Sequence, residues 1–215
     1  MHFYLTHDSS FEVAGFTVDP LYINNPTFVG LPVVPFDTVE TVFPPTEYSM
    51  LIAVSYQQMN ALRKEKYYQA KAKEYELITY ISSKTTIWPD LTVGDNCLVV
   101  ENSSLNPFVK IGNNVTIGAN VLIGHHAVIN DHCFISPGSV ILGSVEVGSS
   151  CVIGAGSTIR EKVNIASKCM VGAGVTITAD TKEGGVYVGR TPQLLSMSSE
   201  KLIKWLTWSE KNKNS

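Results

Sequence analysis

The chain has 215 residues, of which 16% are charged and 44% hydrophobic, and its formal net charge is −3. A charge content well below the roughly 25% usual for soluble proteins points to surface shared with other subunits. Lys plus Arg (16) nearly balances Asp plus Glu (19) without a basic block, which argues against nucleic acid as the main partner.

The first element in chain order is a helical stretch at Met1–Asp8. It lacks a basic region followed by an apolar run, and apolar runs elsewhere are only a few residues long. Neither a secretory signal nor membrane insertion is therefore expected. Phe11–Asp19 reads as a strand ending in an acidic residue, and Thr27–Pro35 as a short second strand. Ser49–Ser55 is an unbroken apolar run of the kind that forms a buried parallel strand. Gln57–Lys73, rich in Lys, Glu, Gln and Ala, reads as a helix, and Glu76–Ile81 as the next strand. Strand, helix, strand order over residues 1–84 predicts a small α/β unit with a parallel sheet. Asp19 then has two readings: the acid that meets a ribose in nucleotide-binding α/β domains, or a turn former.

From Ile87 the pattern changes. Every sixth residue from Ile87 to Ile177 is Ile, Leu or Val, sixteen positions without insertion or deletion. Four places after each lead stands a small or medium-sized residue, and all four cysteines, Cys97, Cys133, Cys151 and Cys169, fall in that series. They are expected inside, reduced, as small buried side chains; a disulfide or metal contact between stacked coils is the alternative. The position after the lead is often Gly, as at Gly94, Gly112, Gly124 and Gly154, which predicts corners of unusual backbone conformation there. A sustained period of six fits neither a helix nor a simple amphipathic strand, but it fits short strands joined by corners. This resembles the hexapeptide repeat of the left-handed parallel β-helix, three hexads to an 18-residue coil, over residues 85–180. Residues 181–215 are expected to add a strand around Val186–Gly189 and a helix over 194–211, the latter carrying Trp205 and Trp208.

A small α/β domain followed by such a β-helix resembles the bacterial sugar N-acetyltransferases that modify amino sugars carried on dTDP or UDP, a group related to the sialic acid O-acetyltransferase family. Its members open with a strand and a Gly-rich loop. On that comparison the chain begins partway along the first helix, lacking the first strand and the loop. The resemblance implies a cytoplasmic bacterial enzyme, a homotrimer, acetyl-CoA as co-substrate, a nucleotide-linked amino sugar as acceptor and no metal. It also implies a role in surface polysaccharide synthesis, such as lipopolysaccharide O-antigen. The acceptor it suggests best is dTDP-4-amino-4,6-dideoxyglucose.

The stretch that carries the resemblance is Gly124-His125-His126-Ala127-Val128-Ile129-Asn130, continuing without a gap to Gly148. It implies His125 as general base. Gly143, 18 residues on, occupies the same corner one coil up, about 5 Å away along the prism. The resemblance also brings Gly143, Ala155 and Ala173 to the pantetheine arm of acetyl-CoA, in a groove between subunits. His126 stands where relatives carry an Asp or Glu that orients the base, so it either orients His125 or lines the pocket. Asp131 is either a turn former or the missing carboxylate, supplied from the next corner. His132 is expected at an outward, solvated position, and Phe134 stands where relatives often have a His. Arg190 either meets a CoA phosphate or is an exposed surface Arg.

Three other functions share this fold expectation. Sugar O-acetylation is the nearest. A metal-dependent β-helix hydratase would hold zinc with three histidines spread over about two coils, whereas His125, His126 and His132 fall within eight residues. A non-catalytic scaffold is the third.

Overall fold

The structure is a computed structural model and describes residues 1–189 and 196–204. Its larger part is a left-handed parallel β-helix of three sheets. Face I has seven two-residue strands, from Tyr80–Ile81 through Phe134–Ile135 to Val186–Tyr187. Face II runs from Ser104–Leu105 to Thr176–Ile177 and face III from Thr92–Val93 to Asn164–Ile165, with five strands each. Every pairing within a face is parallel and, below the last rung, joins residues 18 apart, for example Ile123 with Ile141 and Val128 with Glu146. The second residue of each strand points inward, and Ile117, Ile123, Ile129, Ile135, Ile141 and Ile153 are completely buried. Each such side chain contributes about 2–3 kcal/mol by leaving water.

The repeat starts one hexad earlier than its sequence pattern suggests. Tyr80–Ile81 is the first strand of face I, paired with Leu98–Val99, whereas Ile87 is 48% exposed and its hexad makes only the isolated bridge Thr86 to Ser104. At the far end Val186–Tyr187 pairs with Met170–Val171, 16 residues away, and so adds the expected late strand to face I.

The corners differ from expectation in one respect. The left-handed backbone conformation falls three residues after the lead, at Asn96, Asn114, His126, Ser144, Lys162 and their equivalents. The glycines directly after the lead serve close approach instead. A Cβ on Gly124 would sit 2.5 Å from the Gly143 nitrogen, and one on Gly154 2.5 Å from the Ala173 nitrogen. The inward Ser and Cys side chains do more than fill space. Cys97, Cys133 and Cys151 donate to the carbonyls of Gly112, Gly148 and Ala166 at 3.0–3.1 Å, and Ser139 and Ser157 donate to those of Gly154 and Gly172 in the same register. All four cysteines are free and buried.

The N-terminal unit lies across face I. Helix α1 (His2–His7) is tied down by Asp8, whose carboxylate accepts hydrogen bonds from the Tyr80 hydroxyl (2.7 Å), the Ser82 hydroxyl (2.8 Å) and the Ser83 N–H (3.1 Å). Those bonds hold its carboxyl far below the usual range. Strand β1 (Phe16–Val18) pairs in parallel with β3 (Leu31–Pro35). The expected strand over 27–35 is a hairpin, since β2 (Thr27–Phe28) folds back antiparallel onto β3 through Val29 and Gly30, both at positive φ. The apolar run 49–55 forms no strand. Met50 bridges Leu77, and Ile52 donates to the Asn96 side chain at 2.7 Å, while its other edge faces a cavity rather than β1. The expected strand over 76–81 is thereby split between Leu77, on this unit, and Tyr80–Ile81, on the prism. Helix α2 (Ala61–Ala72) starts four residues later than its composition suggests, because Gln58, Met59 and Asn60 all take left-handed conformations. Residues 199–204 are helical, within the expected 194–211; the rest of that stretch lies outside the described residues, Trp205 and Trp208 included.

Helix α2 is fixed to the prism by buried polar contacts. Arg63 is 1% exposed; its guanidinium donates to the Thr116 hydroxyl and to the Cys133 carbonyl at 2.9 Å. Burial lowers its pKa to about 10, which leaves it charged at neutral pH. The fully buried Asn60 donates to the Cys151 carbonyl at 3.1 Å. His132, expected in solvent, is 3% exposed because α2 covers its corner. It extends a side-chain ladder in which Asn96 donates to Asn114 (2.8 Å) and Asn114 donates to His132 Nδ1 (2.9 Å), and Tyr68 meets its Nε2 at 3.2 Å.

Burial, reinforced by the charge of Lys64, holds the His132 pKa down to about 4. In the unfolded chain it is about 6.5, so below that pH the unfolded state takes up the proton first. Stability attributable to this residue is therefore constant above about pH 6.5 and falls by about 3 kcal/mol as the pH drops to about 4. His132→Asn, which continues the Asn ladder, is expected to remove that loss. Urea denaturation at pH 7.5 and 4.5 checks it: the variant should lose markedly less stability between the two pH values than the wild type.

Candidate functional site

The edge between faces II and III carries the clearest chemical arrangement. It is built from consecutive corners: Asn106–Phe108, Gly124–His126, Leu142–Ser144 and Arg160–Lys162. Each corner is locked to the next by one hydrogen bond from its left-handed residue. His126 N–H donates to the Pro107 carbonyl at 3.1 Å, Ser144 N–H to that of His125 at 2.8 Å, and Lys162 N–H to that of Gly143 at 3.0 Å. The middle residue of each corner, His125 and Gly143 among them, is thus held on the outer edge by a fixed backbone.

His125 and His126 are both exposed. Their Nδ1 atoms lie 3.1 Å apart with the rings edge to face, so one imidazole donates the shared proton and the other accepts it. His126 occupies the place expected for a carboxylate and makes the contact to Nδ1 that a carboxylate would make. The other end of the His125 ring lies against Gly143, where an added Cβ would come within 2.6 Å of Nε2 and 2.7 Å of Cε1. The Gly143 N–H has no hydrogen-bond partner among the described residues. An imidazole nitrogen and an unpaired backbone donor are therefore side by side on one edge, a geometry suited to taking a proton while a developing oxyanion is met.

The remaining expected residues are placed apart from this pair. Asp131 is on the III/I edge, where its carboxylate accepts from the Asn113 N–H at 2.7 Å; it has no hydrogen bond to either histidine of the pair. Ala155 and Ala173 stack on successive coils of the I/II edge, across face II from His125, with Gly174 N–H donating to the Ala155 carbonyl at 2.8 Å. Phe134 is packed against Tyr56 (ring centroids 5.1 Å apart) and lies 5.7 Å from the Arg63 guanidinium carbon, which takes it out of any exposed site. Arg190 lies outside the described residues.

Asp19 lines a cavity of about 190 Å³ in the N-terminal unit, bounded by Thr17, Val18, Phe36, Leu51–Val54, Leu62 and Lys66. Its carboxylate is ion-paired with Lys66, whose ammonium also lies 4.5 Å from the Phe36 ring centroid. The hydroxyl of Thr17 is buried there without a partner. Sequence reasoning missed Lys66, and its only signal was a cationic position on a helix facing the end of a strand. Among the described residues no group of three or more His, Cys, Asp and Glu could hold a metal ion, and no helix is long and apolar enough to cross a membrane.

Comparison with known proteins agrees with the repeat. The family model for the bacterial transferase hexapeptide (six repeats) matches residues 108–143 and 126–161. No curated protein matches the chain by sequence. Among solved structures, the acetyltransferase domain of PglB from Neisseria gonorrhoeae is similar at 22% identity and a TM-score of 0.72, over 80% of this chain and 82% of that one. PerB from Caulobacter crescentus, in complex with CoA and GDP-perosamine, is 22% identical with a TM-score of 0.70, over 75% of this chain and 77% of its own. WeeI from Acinetobacter baumannii is 21% identical with a TM-score of 0.60, over 81% and 82%. At these identities the likeness is one of fold.

Gly143→Ala tests the local geometry. The added methyl is expected to turn the His125 imidazole away, seen as loss of the His125–His126 proton signature in imidazole 15N spectra. The melting temperature should stay within about 4 °C, because the ring moves into solvent.

Proposed function

We propose that the chain is an acetyl-CoA-dependent N-acetyltransferase acting on the amino group of a nucleotide-linked amino-deoxy sugar, with dTDP-4-amino-4,6-dideoxyglucose as the acceptor of first choice. The observation that carries this is the His125 ring lying against Gly143, whose N–H is unpaired, on the edge of a hexapeptide prism. The amine nitrogen attacks the thioester carbonyl carbon and gives its proton to Nε2 of His125. The Gly143 N–H donates to the oxygen as it gains charge, and collapse of the tetrahedral species expels the CoA thiolate, which takes the proton from His125. His126, through Nδ1, keeps the His125 lone pair on Nε2.

Proteins of the same fold support the reading. The PglB domain has been solved in complex with acetyl coenzyme A, and histidine-to-asparagine and histidine-to-alanine variants of the Caulobacter enzyme have been solved with CoA and GDP-perosamine. Residues 1–84 would hold the nucleotide, with Asp19 and Lys66 at the cavity, and residues 85–180 the acetyl donor, with Ala155 and Ala173 beside the pantetheine arm. Arg190 would reach toward a CoA phosphate. The product would enter bacterial surface polysaccharide in the cytoplasm.

We infer that the chain works as a homotrimer, and the placement of the two halves of the site supports this reading. The II/III edge is opposite face I, which the nucleotide-binding unit covers, so the two halves of the site on one chain face away from each other. Prisms packed side by side would bring the His125 edge of one copy to the Ala155 edge and N-terminal unit of the next.

Thiol release from acetyl-CoA, measured with the amino-sugar nucleotide and with its hydroxyl counterpart, separates N- from O-acetylation: turnover is expected only with the amine. His125→Ala is expected to lower turnover by about 10²–10⁴-fold with the fold intact; near-normal turnover would remove this residue from the mechanism. Light scattering is expected to give three chains, and a monomer would overturn the shared groove.

A further inference from the structure

Phe108 stands one coil below the histidine pair, in a conformation that its own side chain disfavours. Its φ is +65°, and it is the one apolar residue among the described left-handed corners of the prism; the others are Asn, His, Ser, Lys or Gly. Left-handed backbone suits Gly and Asn and strains bulky residues. Burial does not offset the strain, since Phe108 is 56% exposed. What the ring does contact is His126: the centroids are 4.6 Å apart and the planes tilted by 38°. His126 is left-handed too, at φ +59°, and its Nδ1 meets Nδ1 of His125. A column thus climbs three coils, from Phe108 through His126 and His125 to Gly143.

We propose that Phe108 is a positioning residue: its exposed ring fixes the plane of His126, and His126 in turn fixes the rotamer and tautomer of His125. This rests on His125 being the base. A carboxylate in the place of His126 could accept from Nδ1 through either oxygen and over a range of torsions. An imidazole has one acceptor nitrogen on that side and must present it edge-on. The ring plane therefore has to be held, and among the described residues the one aromatic face packed on it besides His125 is that of Phe108. The strain at Phe108 is the local cost of replacing a carboxylate by a histidine at the next corner.

Phe108→Asn separates positioning from packing, because Asn is at home in this conformation at Asn114 and Asn120. The variant is expected to melt at or above the wild-type temperature. With acetyl-CoA and dTDP-4-amino-4,6-dideoxyglucose its kcat should fall about tenfold while both KM values stay within about twofold. Imidazole 15N spectra of the free protein should show the His125–His126 proton no longer fixed. Phe108→Tyr and Phe108→Trp, which keep a ring, should restore kcat and the spectrum. Wild-type kcat with an unchanged spectrum in Phe108→Asn overturns the proposal. So does a melting temperature that falls together with kcat and is not recovered by Phe108→Tyr. The spectra need no substrate. If His125→Ala keeps near-normal turnover, the base assignment fails, and the spectra still decide whether Phe108 sets the pair.

Discussion

Every placement on the prism depends on the 18-residue register of its coils. Strands stacked about 4.8 Å apart leave no room for a side chain between adjacent corner backbones, so the register is enforced at each edge by close contact as well as by hydrogen bonds. Gly124 shows the constraint directly: a Cβ would fall 2.5 Å from the Gly143 nitrogen. The same contact brings the His125 edge position under Gly143. One inserted residue anywhere between them would turn inward Ile positions outward and part the imidazole from the backbone donor. The geometry of the candidate site and the packing of the core are thus specified by one periodicity.

That explains how much was legible in the sequence. Lead positions such as Ile123 and Ile141 are defined by chain-local spacing, so the three faces, the inward cysteines and the alignment of His125 with Gly143 could all be read without knowledge of tertiary contacts. The misread features depend on what packs from outside. His132 occupies an outward corner by register and is buried only because α2 lies over it, with Tyr68 and Arg63 closing the site. The apolar run 49–55 has strand composition, yet a strand needs neighbours on its edges, and Ile52 spends its hydrogen bonds on Asn96. Ile81 belongs to the prism and not to the N-terminal unit, because Glu76–Ile81 is continuous in sequence but crosses from the Met50 bridge to face I. The glycines that follow the lead residues stand at corners as their spacing predicts, but crowding between coils, not backbone conformation, selects them.

The junction between the two units is polar for a physical reason. The carbonyls of Cys133 and Cys151 already accept from the Thr116 and Phe134 N–H groups, but that of His132 has no backbone donor among the described residues, and an apolar helix laid over it would bury an unsatisfied acceptor. Arg63 and Asn60 supply donors to the carbonyls of His132, Cys133 and Cys151, which lets α2 sit on the prism without that penalty. Arg63 meets only neutral oxygens, so its charge is stabilised by carbonyl dipoles rather than by a carboxylate, in keeping with its lowered pKa. These bonds are directional and reach the backbone of two successive coils and the Thr116 hydroxyl one coil below, which fixes the N-terminal unit in rotation as well as in position.

Fixing that unit has a consequence for where chemistry can occur. With face I covered, faces II and III and the edge between them are left for other contacts, and face II carries half-buried Leu122 and Val140 between the His125 edge and the Ala155 edge. A ligand long enough to touch both Gly143 and Ala155 must either cross that face or lie where the II/III edge of one prism meets the I/II edge of another. The first course would lay a thin pantetheine chain over an open surface, with water on one side. The second encloses it between two rigid edges whose small residues admit backbone contact from both sides. Under the proposed function, the lack of bulk at Gly143, Ala155 and Ala173 favours the second arrangement.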